Sequence, residues 1–151
     1  MGRTPSERDT HGHRASRPHR LAGRPHEGEG VVSLDSSGIG KYPVSWPSRA
    51  EQANGKTSPE ELIAAAHSAC YSMALSHALA GAGNPPTRLE TKADVTFQPG
   101  TGITGIHLSV RGQVDGIDAA QFQSFAEDAK KNCPVSQALT GTTITLSAEL
   151  A

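Results

Sequence analysis

Aromatic residues make up 4% of this 151-residue chain, one Trp, two Tyr and three Phe, and apolar residues of every kind reach 35%. Chains of this length ordinarily bury about two-thirds of the surface their unfolded form exposes, and length alone places this one at about one domain. So thin an apolar supply predicts a core shared in part with a second copy. No apolar run approaches the ~18 residues of a membrane span, and the N-terminus lacks the hydrophobic stretch of a secretion signal. Cysteine is scarce too: the two residues, 63 positions apart, are too few for the disulfide framework of a secreted domain. Net charge is -1 and the isoelectric point about 6.6, so no excess of either sign points to nucleic acid or an anionic membrane. These absences predict a soluble, cytoplasmic protein without nucleic-acid or membrane partners, in which two cysteines serve chemistry more readily than architecture.

What is present divides at residue 26. Residues 1–26 hold six arginines, four of the seven histidines and three prolines, and carry +4 once Glu7 and Asp9 are counted; residues 27–151 carry -5. The first segment cannot bury enough apolar surface to offset its ordering entropy and is expected to be a disordered basic tail. From Glu27 onward the pattern is that of a folded domain. Two short strands are expected at about Gly30–Leu34 and Lys41–Trp46, joined by a Ser-Gly turn, followed by a polar loop, "PSRAEQANGKT". A long helix runs from Pro59 to about Ala80, ended by Gly81, Gly83 and Pro85-Pro86. "TRLETKADVTFQ" and "TGIHLSVRGQVDG" alternate apolar and polar residues around "PGTG", which predicts a hairpin. A second helix is expected over Ile117–Lys131 with Asp118 as N-cap, a short third over Pro134–Leu139, and a last strand in "TTITLSAEL". Grouped strands with helices against one face make the class α+β.

The long helix begins "SPEELIAAAHSAC". Ser58 suits the N-cap, Pro59 the first helical position, and Glu61 the closing residue of a capping box. The cap does not need Glu60, although the helix dipole favours it. Leu62, Ala65, Ala66, Ala69, Met73 and Ala80 share one apolar stripe with Cys70 beside it. Alanines admit close approach of another backbone, which suits packing against a symmetry mate. A free cysteine there is commonly an inert small hydrophobe, and His67, one turn earlier, is either a hydrogen-bonded residue at the core edge or one half of a Cys-His nucleophile. Cys133, in "KKNCPVSQAL", is expected to be the N-cap of the short helix, where the dipole with Lys130 and Lys131 favours a thiolate. One thiol mid-helix and one at a helix mouth suit a dithiol/disulfide pair; His67, Cys70 and Cys133 give at most three ligands and lack the paired spacing of structural zinc sites.

"TSPEELIAAAHSACYSMALS" and "NCPVSQAL" resemble the two signature segments of the OsmC/Ohr family of thiol-dependent peroxidases, and the His67-bearing motif resembles the OsmC (osmotically inducible protein C) branch more than the Ohr branch. The resemblance spans about Gly28 to Ala151. It departs at the start, where the family's first strand carries a tryptophan and this chain reads "HRLAGRPHEGEG", so residues 1–26 are expected to replace a normal edge strand. The resemblance implies an intertwined homodimer, antiparallel sheets wrapped around long central helices, with no cofactor or metal. It implies reduction of organic hydroperoxides, and more weakly of hydrogen peroxide, in oxidative and osmotic stress defence. Carried onto this chain, it makes Cys70 the peroxidatic thiol, Cys133 the resolving thiol, Glu60 the acid and Arg49, in "SWPSRAEQ", the arginine. The reductant it implies is a dithiol, a lipoyl protein or small thiol.

The residue types agree with that chemistry. Only a thiolate attacks the O–O bond, and a free thiol near pKa 8.5 is mostly protonated at neutral pH. A guanidinium against the sulfur favours the thiolate, and Glu60 would hold Arg49 by a two-point pair. The sulfenic acid left on Cys70 condenses with Cys133, and a dithiol restores both. Ten residues of helix separate Glu60 from Cys70, a rise of about 15 Å, so the expected site is composite, with Arg49 and Glu60 serving the partner's cysteine. Two rivals make different demands: a cysteine hydrolase using Cys70 and His67, indifferent to Cys133, and a non-catalytic binder of an apolar ligand, indifferent to both thiols.

Overall fold

A computed structural model describes residues 27–151 of the chain; the expectations for residues 1–26 fall outside them. Strands β1 (Glu29–Ser33) and β2 (Lys41–Ser45) pair antiparallel. Their turn closes by Gly38 N–H donating to the Leu34 carbonyl at 2.8 Å, with Gly38 at φ +67°, a conformation that costs glycine nothing. The segment read as a polar loop instead starts with a short helix, α1 (Trp46–Ala50). Ser45 caps it: its hydroxyl accepts from Ser48 N–H at 3.2 Å, and the Ser48 hydroxyl accepts from Ser45 N–H at 3.1 Å.

Helix α2 (Pro59–Gly81) starts where the sequence places it, with the Ser58 hydroxyl accepting from Glu61 N–H at 3.1 Å. The expected box does not close, because the Glu61 carboxylate accepts from the Thr57 hydroxyl instead. Strands β3 (Arg88–Gln98) and β4 (Gly102–Gln113) form the expected hairpin, with a bulge between Thr96 and Phe97. Then come α3 (Ala119–Asn132), α4 (Pro134–Ala138) and β5 (Thr143–Leu150). Asp118 caps α3 through a full box with Gln121, 2.8 and 2.9 Å.

The second sheet has the order β3-β4-β5, and β5 runs parallel to β4. The expectation of purely antiparallel sheets fails here, since α3 and α4 form a helical crossover that returns the chain in the same direction. Side chains alternate across the pleat. Ala93, Ile106, Leu108, Val110 and the partly buried Leu146 and Ala148 face a core completed by Tyr71, Leu75 and Leu79 of α2 and Phe122, Ala126 and Ala129 of α3. Helices therefore cover one face of this sheet, as the α+β reading requires. The core touches only one side of α2. Ala65, Ala66, Ala69, Met73 and Ala80, the stripe noted in the sequence, point away from it, and Met73 is 72% exposed. Among the described residues, no helix is long and apolar enough to cross a membrane.

Candidate active site

The two halves of the expected site lie on the same helix but do not meet. At its mouth, Glu60 is buried at the second helical position. Arg49 reaches it from the last turn of α1: Nε and Nη2 each lie 2.8 Å from Oε1 of Glu60. The fork was expected to span both carboxylate oxygens; it closes on one, and Oε2 is buried without a hydrogen-bond partner. The guanidinium also lies among aromatic rings. Arg49 Cζ lies 4.1 Å from the Phe97 ring centroid and 5.7 Å from that of Trp46, and the two rings meet edge to face at 6.3 Å. The rings and the acid together hold the cation in place. Both side chains are largely withdrawn from solvent, Arg49 at 27% and Glu60 at 9% exposure.

Sequence reasoning missed Trp46 and Phe97. Trp46 had a signal, since it precedes Arg49 by three residues and a single helical turn brings such residues together. Phe97 had none: it comes from the far end of β3, at the bulge, a device that re-aims strand side chains.

Ten residues along α2, Cys70 lies half-buried beside the fully buried Cys133. Cys133 ends α3 and begins α4, so the expected N-cap position is correct, but its side chain makes no capping hydrogen bond. Lys130 and Lys131 turn back along α3 to Glu127 and Asp128, at 2.8 and 3.7 Å. Burial raises the Cys70 pKa above the ordinary thiol value. The Val135 N–H, donating to its sulfur, opposes that rise; a hydrogen-bonding contact with Cys133 adds to it. Arg49 is not among the groups that shift Cys70 in its own chain; it is bound to Glu60, which lies about 15 Å of helical rise from Cys70.

His67 is fully buried, and its Nε2 lies 2.7 Å from Ser136 Oγ. Burial lowers its pKa, which keeps the ring neutral. Nδ1 has no hydrogen-bond partner, so the ring is spent on Ser136 and does not pair with Cys70; the hydrolase reading loses its base. Among the described residues no group of three or more His, Cys, Asp or Glu gathers to hold a metal ion.

The profile of the OsmC-like protein family matches residues 52–147. The chain belongs to the OsmC-like protein family. Peroxiredoxin OsmC of Escherichia coli (strain K12) is 46% identical over 115 residues, covering 74% of this chain and 80% of that protein. Organic hydroperoxide resistance protein OhrA of Bacillus subtilis (strain 168) is 30% identical over 117 residues, covering 75% and 82%. Among solved structures, the organic hydroperoxide resistance protein OhrB of Bacillus subtilis superposes with a TM-score of 0.66 at 24% identity, over 89% of this chain and 96% of that one. An OsmC protein from Legionella pneumophila does so with a TM-score of 0.66 at 21% identity, over 87% and 95%. These two likenesses establish the OsmC-like fold. Within the family match fall Glu60, Cys70 and Cys133; Arg49 lies just before it, and its place beside Glu60 rests on the geometry above.

Proposed function

We propose that this OsmC-like chain is a thiol-dependent peroxidase that reduces organic hydroperoxides, with Cys70 as the attacking thiol and Cys133 as the resolving one. The packing of Cys70 of α2 against the buried cluster that holds Cys133, near enough for Cys133 to raise the Cys70 pKa, carries the reading, and the names of the relatives, peroxiredoxin and organic hydroperoxide resistance protein, agree with it. The Cys70 thiolate attacks one peroxide oxygen and breaks the O–O bond, leaving a sulfenic acid and releasing an alkoxide that takes a proton to become the alcohol. The Cys133 sulfur then attacks the sulfenic sulfur, expelling water and forming a disulfide. A dithiol reductant returns both cysteines to thiols by exchange and leaves as its own disulfide.

The thiolate needs a cation, and the clamp at the helix mouth supplies one only across a dimer. The exposed Ala65, Ala66, Ala69 and Met73 stripe suits a second α2, and antiparallel packing there sets the Arg49–Glu60 pair of one subunit against the Cys70 of the other. Trp46 and Phe97, which cradle that arginine, would give the site an apolar wall suited to an alkyl hydroperoxide.

Activity is tested with tert-butyl hydroperoxide against hydrogen peroxide, with dithiothreitol as reductant. The expected result is faster turnover of the organic peroxide and one dithiol consumed per peroxide; no consumption of either overturns the reading. The composite site is tested by mixing Glu60→Ala with Cys70→Ser subunits. Heterodimers should regain about half the activity, since one of two sites then holds both wild-type residues. No recovery would place the whole site within one chain.

A further inference from the structure

We propose that the buried hydrogen bond between His67 and Ser136 is a latch that positions the resolving cysteine, and thereby sets whether the Cys70 sulfenic acid is captured or oxidised further. This rests on the cysteine cycle above. His67 stands three residues before Cys70 on α2, and Ser136 three residues after Cys133 at the start of α4. The 2.7 Å bond between them therefore joins the two helices about one turn from the two sulfurs. It is a bond between two side chains, one on each helix, and it does not use either sulfur.

Helix α4 needs such a tie. It has five residues, too few to be stable alone, and Cys133 at its start contributes no cap. Yet both groups facing Cys70, the Val135 N–H and the Cys133 thiol, belong to this first turn. The surroundings are those of a specific bond, since both members are buried, His67 fully and Ser136 to 95%. A neutral ring has one N–H and one bare nitrogen, and a buried orphan N–H is the costlier omission. With Nδ1 unpartnered, the proton sits on Nε2 and His67 donates to Ser136.

The sulfenic acid has two fates from one intermediate. With Cys133, Cys70–SOH and the thiol give the disulfide and water. With a second hydroperoxide, Cys70–SOH gains an oxygen to become the sulfinic acid as the peroxide is reduced to the alcohol. The ratio of these fates depends on where Cys133 sits and not on how fast the sulfenic acid was made, so it separates the latch from any effect on the first step.

The experiment exposes reduced full-length protein to a fixed excess of tert-butyl hydroperoxide and reads intact mass over time. The disulfide loses two hydrogen atoms and the sulfinic acid gains two oxygen atoms. Ser136→Ala, which removes one atom, should lower the ratio of disulfide to sulfinic product about tenfold, the rate change for one ordinary buried hydrogen bond. His67→Phe should do the same, and His67→Gln, which restores an N–H donor, should recover part of it. A ratio within about twofold of wild type in Ser136→Ala overturns the latch. Should His67→Phe fail to fold, the Ser136→Ala and His67→Gln pair still decides. A wild-type chain forming no disulfide overturns the cysteine cycle itself, a different result from an unchanged ratio.

Discussion

The mouth and the middle of α2 divide what a reactive thiol needs. The mouth has charge without sulfur: Arg49 is gripped by Glu60 and stacked on Phe97. The middle has sulfur without charge: burial raises the Cys70 pKa, and an amide and a second thiol are its polar company. About 15 Å of helical rise separates Glu60, which grips the cation, from Cys70, an arrangement that would suit two such helices running past each other. On the proposed composite site, the peroxidase step would need two subunits, while the disulfide step would need one, since both cysteines belong to the same chain.

The comparison breaks most sharply at the thiols. Cys70→Ser should bring peroxide consumption to the uncatalysed rate, whereas Cys133→Ser without dithiothreitol should still consume one peroxide per subunit quickly and a second slowly as the sulfenic acid becomes sulfinic, and then stop, as read by peroxide loss over time. Next comes the mouth. Arg49→Ala should slow peroxide reduction at neutral pH by about ten- to a hundredfold, because an adjacent opposite charge moves a pKa by ~1–3 units. The loss should shrink as pH is raised and the thiol ionises unaided, so the pH–rate profile must shift upward; an unshifted profile would separate the arginine from the sulfur. Removing the aromatic floor acts through the arginine alone. Phe97→Leu should cost about two- to tenfold in kcat/KM, within the ~0.5–2 kcal/mol of a cation–π contact.

The smallest effect belongs to His67. Its folded pKa lies below the unfolded value of ~6.5 because burial disfavours the charged ring. The unfolded chain therefore binds the proton first as pH falls. The stability that the neutral histidine allows is present above pH ~6.5 and is lost as pH drops through the folded pKa. His67→Gln should flatten this part of the Tm–pH curve, a shift of a few degrees; parallel curves for the two proteins would contradict it.

The helices and the hairpin were legible in the sequence because local signals fix them: Ser58-Pro59 starts α2, Asp118 starts α3 and Cys133-Pro134 starts α4. The cysteine pair and Glu60 followed from two compact motifs. Three features stayed hidden, each for want of a local signal. Helix α1 is a single turn set by a serine pair that reads equally well as loop. The parallel β4–β5 pairing depends on how the α3–α4 crossover returns. Phe97 under Arg49 and Ser136 beside His67 join residues 48 and 69 positions apart. The stripe on α2 lies on the exposed side of the helix, and its pattern alone could not tell that the buried side would be Glu60, His67, Tyr71, Leu75 and Leu79.

A bond between Cys70 and Cys133, as proposed, would close a long covalent ring within one chain that includes all of β3, β4 and α3. Cross-links spanning that much polypeptide restrict the denatured ensemble by about 4 kcal/mol on a chain-entropy account. Oxidant would then leave behind a molecule harder to melt than the one it met, and each visit by the reductant would soften it again.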